Sequence, residues 1–378
     1  MKRIYHIAIF LSILIISGCI TQFVPETDED PNLLVVEGLI SDQPEVYTIK
    51  LSRSMPLGKK TTLKPLKGCT VTIKDNMGHT YTALESSTVG TYLTTPGTFQ
   101  GVVGREYTLH INTNNSTVNH YSYESLPMEM KAVPPIDSLF YEKVVIQEKT
   151  EHSFAKDGSQ VYLNTHDPQG FCKFYRWDYT ETWKFRLPYY VPNHTCWITN
   201  NSNDISVKSM SVLTQNRISR YPLKFISNET DRLSVRYSIL VNQYSLNEDE
   251  YTYWEKLQSI SEEVGSLYDI TPSSVPGNIF CIEDPAEVVL GFFSVSGKTS
   301  KRIYIDDDFR GLVNYYSDCP SDTIFGTGTI PGLNGTVWVI EEQLYAMPPY
   351  RVLTEKKFCA DCTVKGTTTQ PAFWEEKQ

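Results

Sequence analysis

The residues of this chain with the clearest chemical potential are its eight cysteines. Cys359 and Cys362 form a Cys-x-x-Cys motif, a spacing found in redox centres and in half of a zinc site. A second such motif is missing from the sequence, and no βαβ pattern of a thioredoxin fold surrounds this one. We therefore predict that these two cysteines form structural disulfides and serve neither redox chemistry nor metal binding.

Cys19 differs from the other cysteines because it follows an apolar run, residues 7–16, with positive charge before it. The run is too short to cross a bilayer as a helix, which needs about 20 residues, and it fits a secretory signal. Residues 16–19 resemble the bacterial lipobox, whose cysteine is acylated on sulfur and becomes the new N-terminus. We predict that residues 1–18 are a signal peptide and that a lipid on Cys19 tethers the protein to a membrane.

The cysteines that remain after lipidation number seven, and an exported protein meets oxidising surroundings in which disulfides form. Because seven is odd, at least one thiol is free or pairs outside the chain. Cys69, alone in an alternating strand, is expected to be free and buried. Cys172 and Cys196 flank a predicted hairpin, which makes them a candidate pair. The other four can form two bridges in three ways, among which the sequence does not choose: Cys281, Cys319, Cys359 and Cys362.

Aromatic side chains occupy nearly every second position of residues 172–187. Trp177, Tyr179 and Trp183 share parity, so a strand places them on one face of its sheet. This pattern favours a buried core. The alternative is an exposed aromatic binding surface that stacks on sugars or anchors a protein interface.

Catalytic motifs of the HExxH, GxSxG and GxGxxG types are absent from the sequence. The histidines lack the spacing of metal ligands, so we predict no enzyme activity, no metal and no cofactor. The alternative is a hydrolase whose carboxylates converge from distant positions. Its candidates are Asp178, Glu181, Glu283 and Asp284. A net charge of −10 without a basic cluster argues against nucleic-acid binding.

The elements that must position these residues are predicted to be mainly strands. Residues 19–32 are polar and acidic, which is typical of a flexible tether. Residues 33–131 contain short alternating runs about ten residues apart, which predicts a β-sandwich domain. The spacing of Gly90 and Gly104 from neighbouring strand residues is similar to the transthyretin-like or carboxypeptidase-regulatory-like sandwich.

A Pro-Pro pair at 134–135 marks the boundary to a second, larger β-rich domain, residues 136–378. Ser245 and Glu248 have the spacing of a helix capping box, and Gly265 is placed to end a helix. These signals predict one amphipathic helix over residues 246–264. We expect its aromatic face, which includes Trp254, to pack on a sheet.

Several stretches along nearly the full chain together form a recognisable pattern. They are residues 34–40, 47–54, 175–177, 181–182, 243–246, Trp254, 277–279, 359–362, Gly366 and 371–374. With these stretches the chain resembles the DUF4249 family of Bacteroidetes lipoproteins. The resemblance implies an outer-membrane lipoprotein associated with a TonB-dependent receptor, and it implies no particular ligand.

We therefore expect a lipid-anchored binding or docking protein on the outer membrane, exposed at the cell surface. Its expected partners are the membrane, through the N-terminal lipid, and a TonB-dependent receptor that it assists in nutrient uptake. The alternatives are a surface adhesin or envelope-structural lipoprotein, and the hydrolase described above.

Overall fold

The computed structural model describes residues 32–55, 64–113, 121–146, 156–211, 216–263, 275–306 and 319–376. Cys19, the signal peptide and nearly all of the tether lie outside these ranges and stay predictions. The described chain is mainly β, as predicted. None of its helices is long and apolar enough to cross a membrane.

Strands follow one another along almost the whole described chain, interrupted by one long helix. In chain order the elements are β1 (Leu34–Ser41), β2 (Thr48–Arg53), β3 (Lys64–Pro65), β4 (Thr70–Asp75), β5 (Thr80–Glu85), β6 (Thr91–Thr94), β7 (Glu106–Asn112), β8 (Ser122–Ser125), β9 (Met128–Glu129), β10 (Ile136–Ile146), β11 (Lys156–His166), β12 (Phe174–Arg186), β13 (Thr195–Asn201), β14 (Ser206–Ser209), β15 (Arg217–Ser227), β16 (Arg236–Ser245), α1 (Glu248–Glu263), β17 (Ile279–Cys281), β18 (Leu290–Ser296), β19 (Lys298–Ile305), β20 (Asp322–Phe325), β21 (Trp338–Gln343), β22 (Tyr350–Thr354) and α2 (Lys357–Ala360).

The first region is an eleven-stranded sheet in the order β17-β8-β7-β4-β5-β6-β2-β1-β18, with β3 beside β2 and β9 beside β7. Neighbours on this path are antiparallel except β1 and β18, which run parallel with Val35 opposite Leu290. Alternate residues of the strands enter one core, in which Val36, Ile73 and Leu109 are fully buried. The alternation that predicted strands in this segment therefore marks the buried face of the sheet.

Both edge strands of this sheet, β17 and β18, come from residues 279–296. The predicted domain 33–131 thus omits two strands of its own sheet. The Pro-Pro pair does mark a change of sheet, since β10 starts at Ile136 in a different one. No sequence signal comparable to the Pro-Pro pair marks the point where the chain returns to the first sheet. The reason is that β17 and β18 are short apolar runs that could join either region.

The second region contains two sheets that share one core. Three strands form the order β10-β11-β15, and five form β13-β12-β16-β19 with β14 beside β12. Leu163 of the first of these sheets and Trp177 and Tyr237 of the other belong to the same buried cluster. Between β16 and β19, which pair directly, the chain leaves for α1, β17 and β18 and then returns.

A fourth sheet, β20-β22-β21, forms the C-terminal part, to which two disulfides connect. Cys196 bonds to Cys362, and Cys319 bonds to Cys359. The two cysteines of the Cys-x-x-Cys motif therefore have separate partners, and their predicted structural role is confirmed. The first bridge ties strand β13 to a chain segment 166 residues further on, which constrains the unfolded chain strongly.

The candidate pair of Cys172 and Cys196 does not form a disulfide. In the β12–β13 hairpin Cys196 lies opposite Phe185, near the C-terminal end of β12. Cys172 lies just before the N-terminal end of β12, at the other end of the strand. Cys172 and Cys281 are free and buried, so their candidacy for disulfides is also wrong. Cys69 is free, as predicted, but it is half-buried and not fully enclosed.

The helix α1 confirms the one long helix that the sequence predicts, although Gly265 lies outside the described residues. Its predicted capping box is wrong, because Ser245 is the last residue of β16. The Ser245 hydroxyl instead donates to the Lys131 carbonyl (2.6 Å) and accepts from the Gly297 amide (3.1 Å). The Asn247 carbonyl accepts the first helical hydrogen bond, from Tyr251 at 2.9 Å.

Candidate ligand-binding cleft

The aromatic residues that the sequence singled out lie in the core of the second region. Trp177, Tyr179 and Trp183 are only 1%, 4% and 3% exposed. The Trp177 indole N–H donates to Gln243 Oε1 at 2.9 Å, which satisfies its buried polar atom. The core interpretation is confirmed, and the alternative of an exposed binding surface at these residues is wrong.

The four carboxylates proposed for a hydrolase lie at two different sheets, Asp178 and Glu181 on β12 and the other two just after β17. Asp178 and Glu181 lie on opposite faces of β12 because their positions differ in parity. Glu283 accepts from the Ser122 amide at 2.8 Å, and Asp284 accepts from the amide of Ala286, two residues further on. Within the described ranges no group of three acidic, histidine or cysteine residues is placed to hold a metal ion.

A cleft of about 310 Å³ opens where the first region, β12 and α1 meet. This volume is at the lower end of the range for small-molecule sites, roughly 300–1,000 Å³. Its walls are largely apolar and come from both regions. The lining residues are Glu37, Gly38, Leu39, Thr48, Lys50, Arg176, Tyr253, Trp254, Gly291, Phe292 and Ser294.

Two glycines let β1 and β18 approach closely enough to form the floor of this cleft. A Cβ on Gly38 would lie 2.7 Å from Ile49 Cδ1 and 3.1 Å from a Phe293 ring carbon. Gly291 has a φ of +90°, and a Cβ there would meet the Val36 carbonyl oxygen at 1.9 Å. A larger residue at 291 would push β18 away from β1, whereas one at 38 would displace the side chains of Ile49 and Phe293.

Helix α1 supplies the aromatic wall. The Tyr253 ring packs on Phe292 of β18, with 4.8 Å between ring centroids, and Trp254 packs edge-on against Tyr253. On the other side of the helix, Tyr251 stacks on Phe174 at 5.0 Å. The helix is thus held on both regions by rings, which confirms that its aromatic face packs on the sheets.

Arg176 is the cationic group that β12 contributes to the cleft. Its guanidinium carbon lies 4.5 Å from the centroid of the Trp254 ring and 4.9 Å from that of Tyr244. Only 13% of its side chain is exposed, and Asp178 Oδ2 is 3.7 Å from Nη2, beyond hydrogen-bond distance. The arginine is held by stacking on the rings and by long-range attraction to Asp178.

Glu250, in the first turn of α1, is fully buried beside three residues that line the cleft. The Trp254 indole N–H reaches its Oε1 at a long 3.4 Å, and Oε2 has no hydrogen-bond partner among the described residues. Burial raises the pKa of this carboxyl from 4.5 to about 7, against the lowering effects of Arg176, the Ser294 hydroxyl and Trp254. Near neutral pH the group is therefore divided between its neutral and ionised forms.

Residues 20–302 match the model of a protein family described as a domain of unknown function, DUF4249. The chain belongs to this family. The match confirms the family that the sequence motifs indicated. Every residue of the cleft lies inside the matched range, whereas the disulfide between Cys319 and Cys359 lies beyond it. No curated protein matches the chain.

The sequence reasoning missed the residues of the cleft. Arg176 has an even number, whereas its buried neighbours Tyr175 and Trp177 have odd numbers. Alternation along a strand therefore predicts that Arg176 lies on the opposite face of β12. Glu250 lies four residues before Trp254, a spacing that puts both on one face of a helix. The first pattern predicts only that Arg176 is exposed, and the second predicts only a contact within the helix. Neither pattern indicates that α1 packs over β12.

Proposed function

We propose that this protein is a lipid-anchored binding protein of the outer membrane that captures a small ligand in the cleft and passes it to a TonB-dependent receptor. The observation that carries the proposal is the cleft itself, which has an aromatic wall and a stacked guanidinium at the junction of two regions. The lipobox at Cys19 supports the anchor, and the family resemblance supports the receptor.

The groups that line the cleft favour binding over catalysis. Glu37 and Lys50 form an exposed pair with 3.5 Å between Oε2 and Nζ. The lining contains no histidine or cysteine, so the hydroxyls of Thr48 and Ser294 have no imidazole base beside them in the described chain. Apolar walls with a few polar groups are typical of sites that hold a small molecule.

Capture of the full-length tagged protein from detergent-solubilised outer membranes, followed by mass spectrometry, tests the receptor. We expect a TonB-dependent barrel to be enriched. Cys19→Ala is expected to lose the lipid label and the membrane fraction, whereas Cys69→Ala, which removes a free thiol, keeps both. Recovery of no barrel, with no receptor gene beside this one, would reject the proposed partner.

A deletion strain separates this function from the alternatives. If the protein serves uptake, growth on a limiting nutrient falls while adhesion and envelope integrity are normal. The opposite pattern, altered adhesion or integrity with normal uptake, would show an adhesin or a structural lipoprotein instead.

A further inference from the structure

Five arginines of the described chain stack on aromatic rings, and four of them also use their N–H groups. Arg220, which lies 4.7 Å from the Tyr162 centroid, donates two hydrogen bonds of 2.7 Å to the Glu142 carboxylate. Arg176 is the exception, because its side chain makes no hydrogen bond to any described residue and has only an ion pair with Asp178, at 3.7 Å. The other three stacked arginines are Arg232, bonded to Glu181, Arg236, paired with Asp306, and Arg302, which donates to Ser238.

The stacking decides which part of Arg176 is available. Trp254 and Tyr244 lie over the guanidinium group, so the remaining polar capacity is at its edge, where the N–H groups lie in the plane. A planar fork of N–H donors matches the two oxygens of a carboxylate. Arg220 shows the same arrangement completed within this chain, with stacked rings and a carboxylate at the edge.

The carboxyl groups near Arg176 leave its N–H groups without a hydrogen bond. Asp178 is 3.7 Å away and already accepts a 2.7 Å hydrogen bond from Asn242 on its other oxygen. Glu250 is buried nearby without a salt bridge to Arg176, and its raised pKa keeps part of the population neutral. The guanidinium N–H groups therefore keep the capacity to donate hydrogen bonds to an incoming carboxylate.

We propose that the cleft recognises a ligand that carries a carboxylate on an apolar or aromatic body, with Arg176 as the anchor of the carboxylate. This inference rests on the proposed function and gives its ligand a chemical class. The carboxylate occupies the guanidinium edge, as Glu142 does at Arg220. The body lies against Tyr253, Trp254 and Phe292, whose rings form the apolar wall.

The test measures binding of small probes to the full chain by isothermal calorimetry and ligand-observed NMR. The probes are phenylacetate, 3-phenylpropionate and 4-phenylbutyrate, each compared with the primary alcohol and the primary amine of the same carbon skeleton. We expect at least one carboxylate to bind at least about tenfold more tightly than its alcohol, the smallest effect of losing a charge-assisted hydrogen bond.

Arg176→Lys is the variant that tests the anchor, because lysine keeps the charge and loses the planar fork and the stacking. We expect it to weaken carboxylate binding about tenfold and to leave alcohol binding unchanged. Arg220→Lys, which alters the matched stacked arginine at Glu142, should leave both unchanged.

Several outcomes would overturn the inference. If the unaltered protein binds an alcohol and its carboxylate equally well, the cleft binds small ligands but does not recognise a carboxylate. Tighter binding of the amine would indicate a cationic ligand. Unchanged binding in the lysine variant would remove Arg176 as anchor. Failure of every probe to bind would reject this ligand class, while the capture of a receptor from membranes is a separate result. The comparison of probes on the unaltered protein needs no variant to fold.

Discussion

Glu181 in the second region and Glu250 at the cleft are both buried carboxyls, but their surroundings differ. Glu181 accepts from Arg232 Nη2 at 3.0 Å and from the Tyr237 hydroxyl at 2.9 Å. Glu250 has one long contact, and its second oxygen is without a partner in the described chain. A buried carboxylate with good hydrogen-bond partners helps to hold the fold together. A buried carboxyl without such partners lowers stability, so its presence calls for another explanation, such as a role in function.

The largest effect is expected from Glu181→Gln. The amide keeps the shape of the side chain but leaves the Arg232 charge without its counter-ion. We expect the free energy of unfolding to fall by about 3 kcal/mol at pH 7, the lower end of the range for breaking a buried pair, because Arg232 is partly exposed. Urea unfolding followed by tryptophan fluorescence measures this.

The control for that substitution is Glu142→Gln, which removes a carboxylate from the exposed pair with Arg220. Its expected loss is below about 1 kcal/mol, since exposed ion pairs contribute little. If both variants lose the same small amount, Glu181 is not the framework group that its contacts indicate.

The same substitution at Glu250 is expected to act in the opposite direction. The pKa of Glu250 is about 7 in the folded protein and 4.5 ordinarily, so the folded state holds its proton more tightly. Its contribution to stability is present below pH 4.5 and is lost as pH rises through 7. Glu250→Gln removes this loss, and we expect it to be more stable than the unaltered protein at pH 8 by up to about 3 kcal/mol.

Unfolding curves recorded at pH 4, 6 and 8 check the sign. The difference between Glu250→Gln and the unaltered protein should be near zero at pH 4 and grow with pH. A difference that does not change over this range would mean that Glu250 titrates normally and does not resemble an unpartnered buried acid.

A smaller effect than those of the Glu181 and Glu250 variants is expected from Tyr237→Phe, which removes one of the hydrogen bonds to Glu181. We expect a loss of about 1–2 kcal/mol in the free energy of unfolding, because the acceptor is charged and Arg232 still holds it. In the Glu181→Gln background the loss should shrink, since the two groups act together. Additive losses in the double variant would show that the tyrosine acts through packing alone.

Strands with a regular alternation were predictable from sequence, and so was the long helix. Trp177 and Tyr179 reveal a buried face because period and hydrophobicity agree at those positions. Local pattern carries no information on which strands meet across long separations, so the pairing of β1 with β18 and of Cys196 with Cys362 could not be read from it. The cleft depends on these meetings, and its residues are ordinary in their local context.

The edges of the first sheet have a consequence for how the protein is made. Without β17 and β18, strands β1 and β8 are exposed edges, and open edges pair readily with other chains. Residues 279–296 are synthesised after the strands that they cover, so both edges stay open until this segment has been added. Since Gly291, Phe292 and Ser294 of β18 also line the cleft, a chain cut short before residue 290 lacks part of the cleft as well as an edge strand.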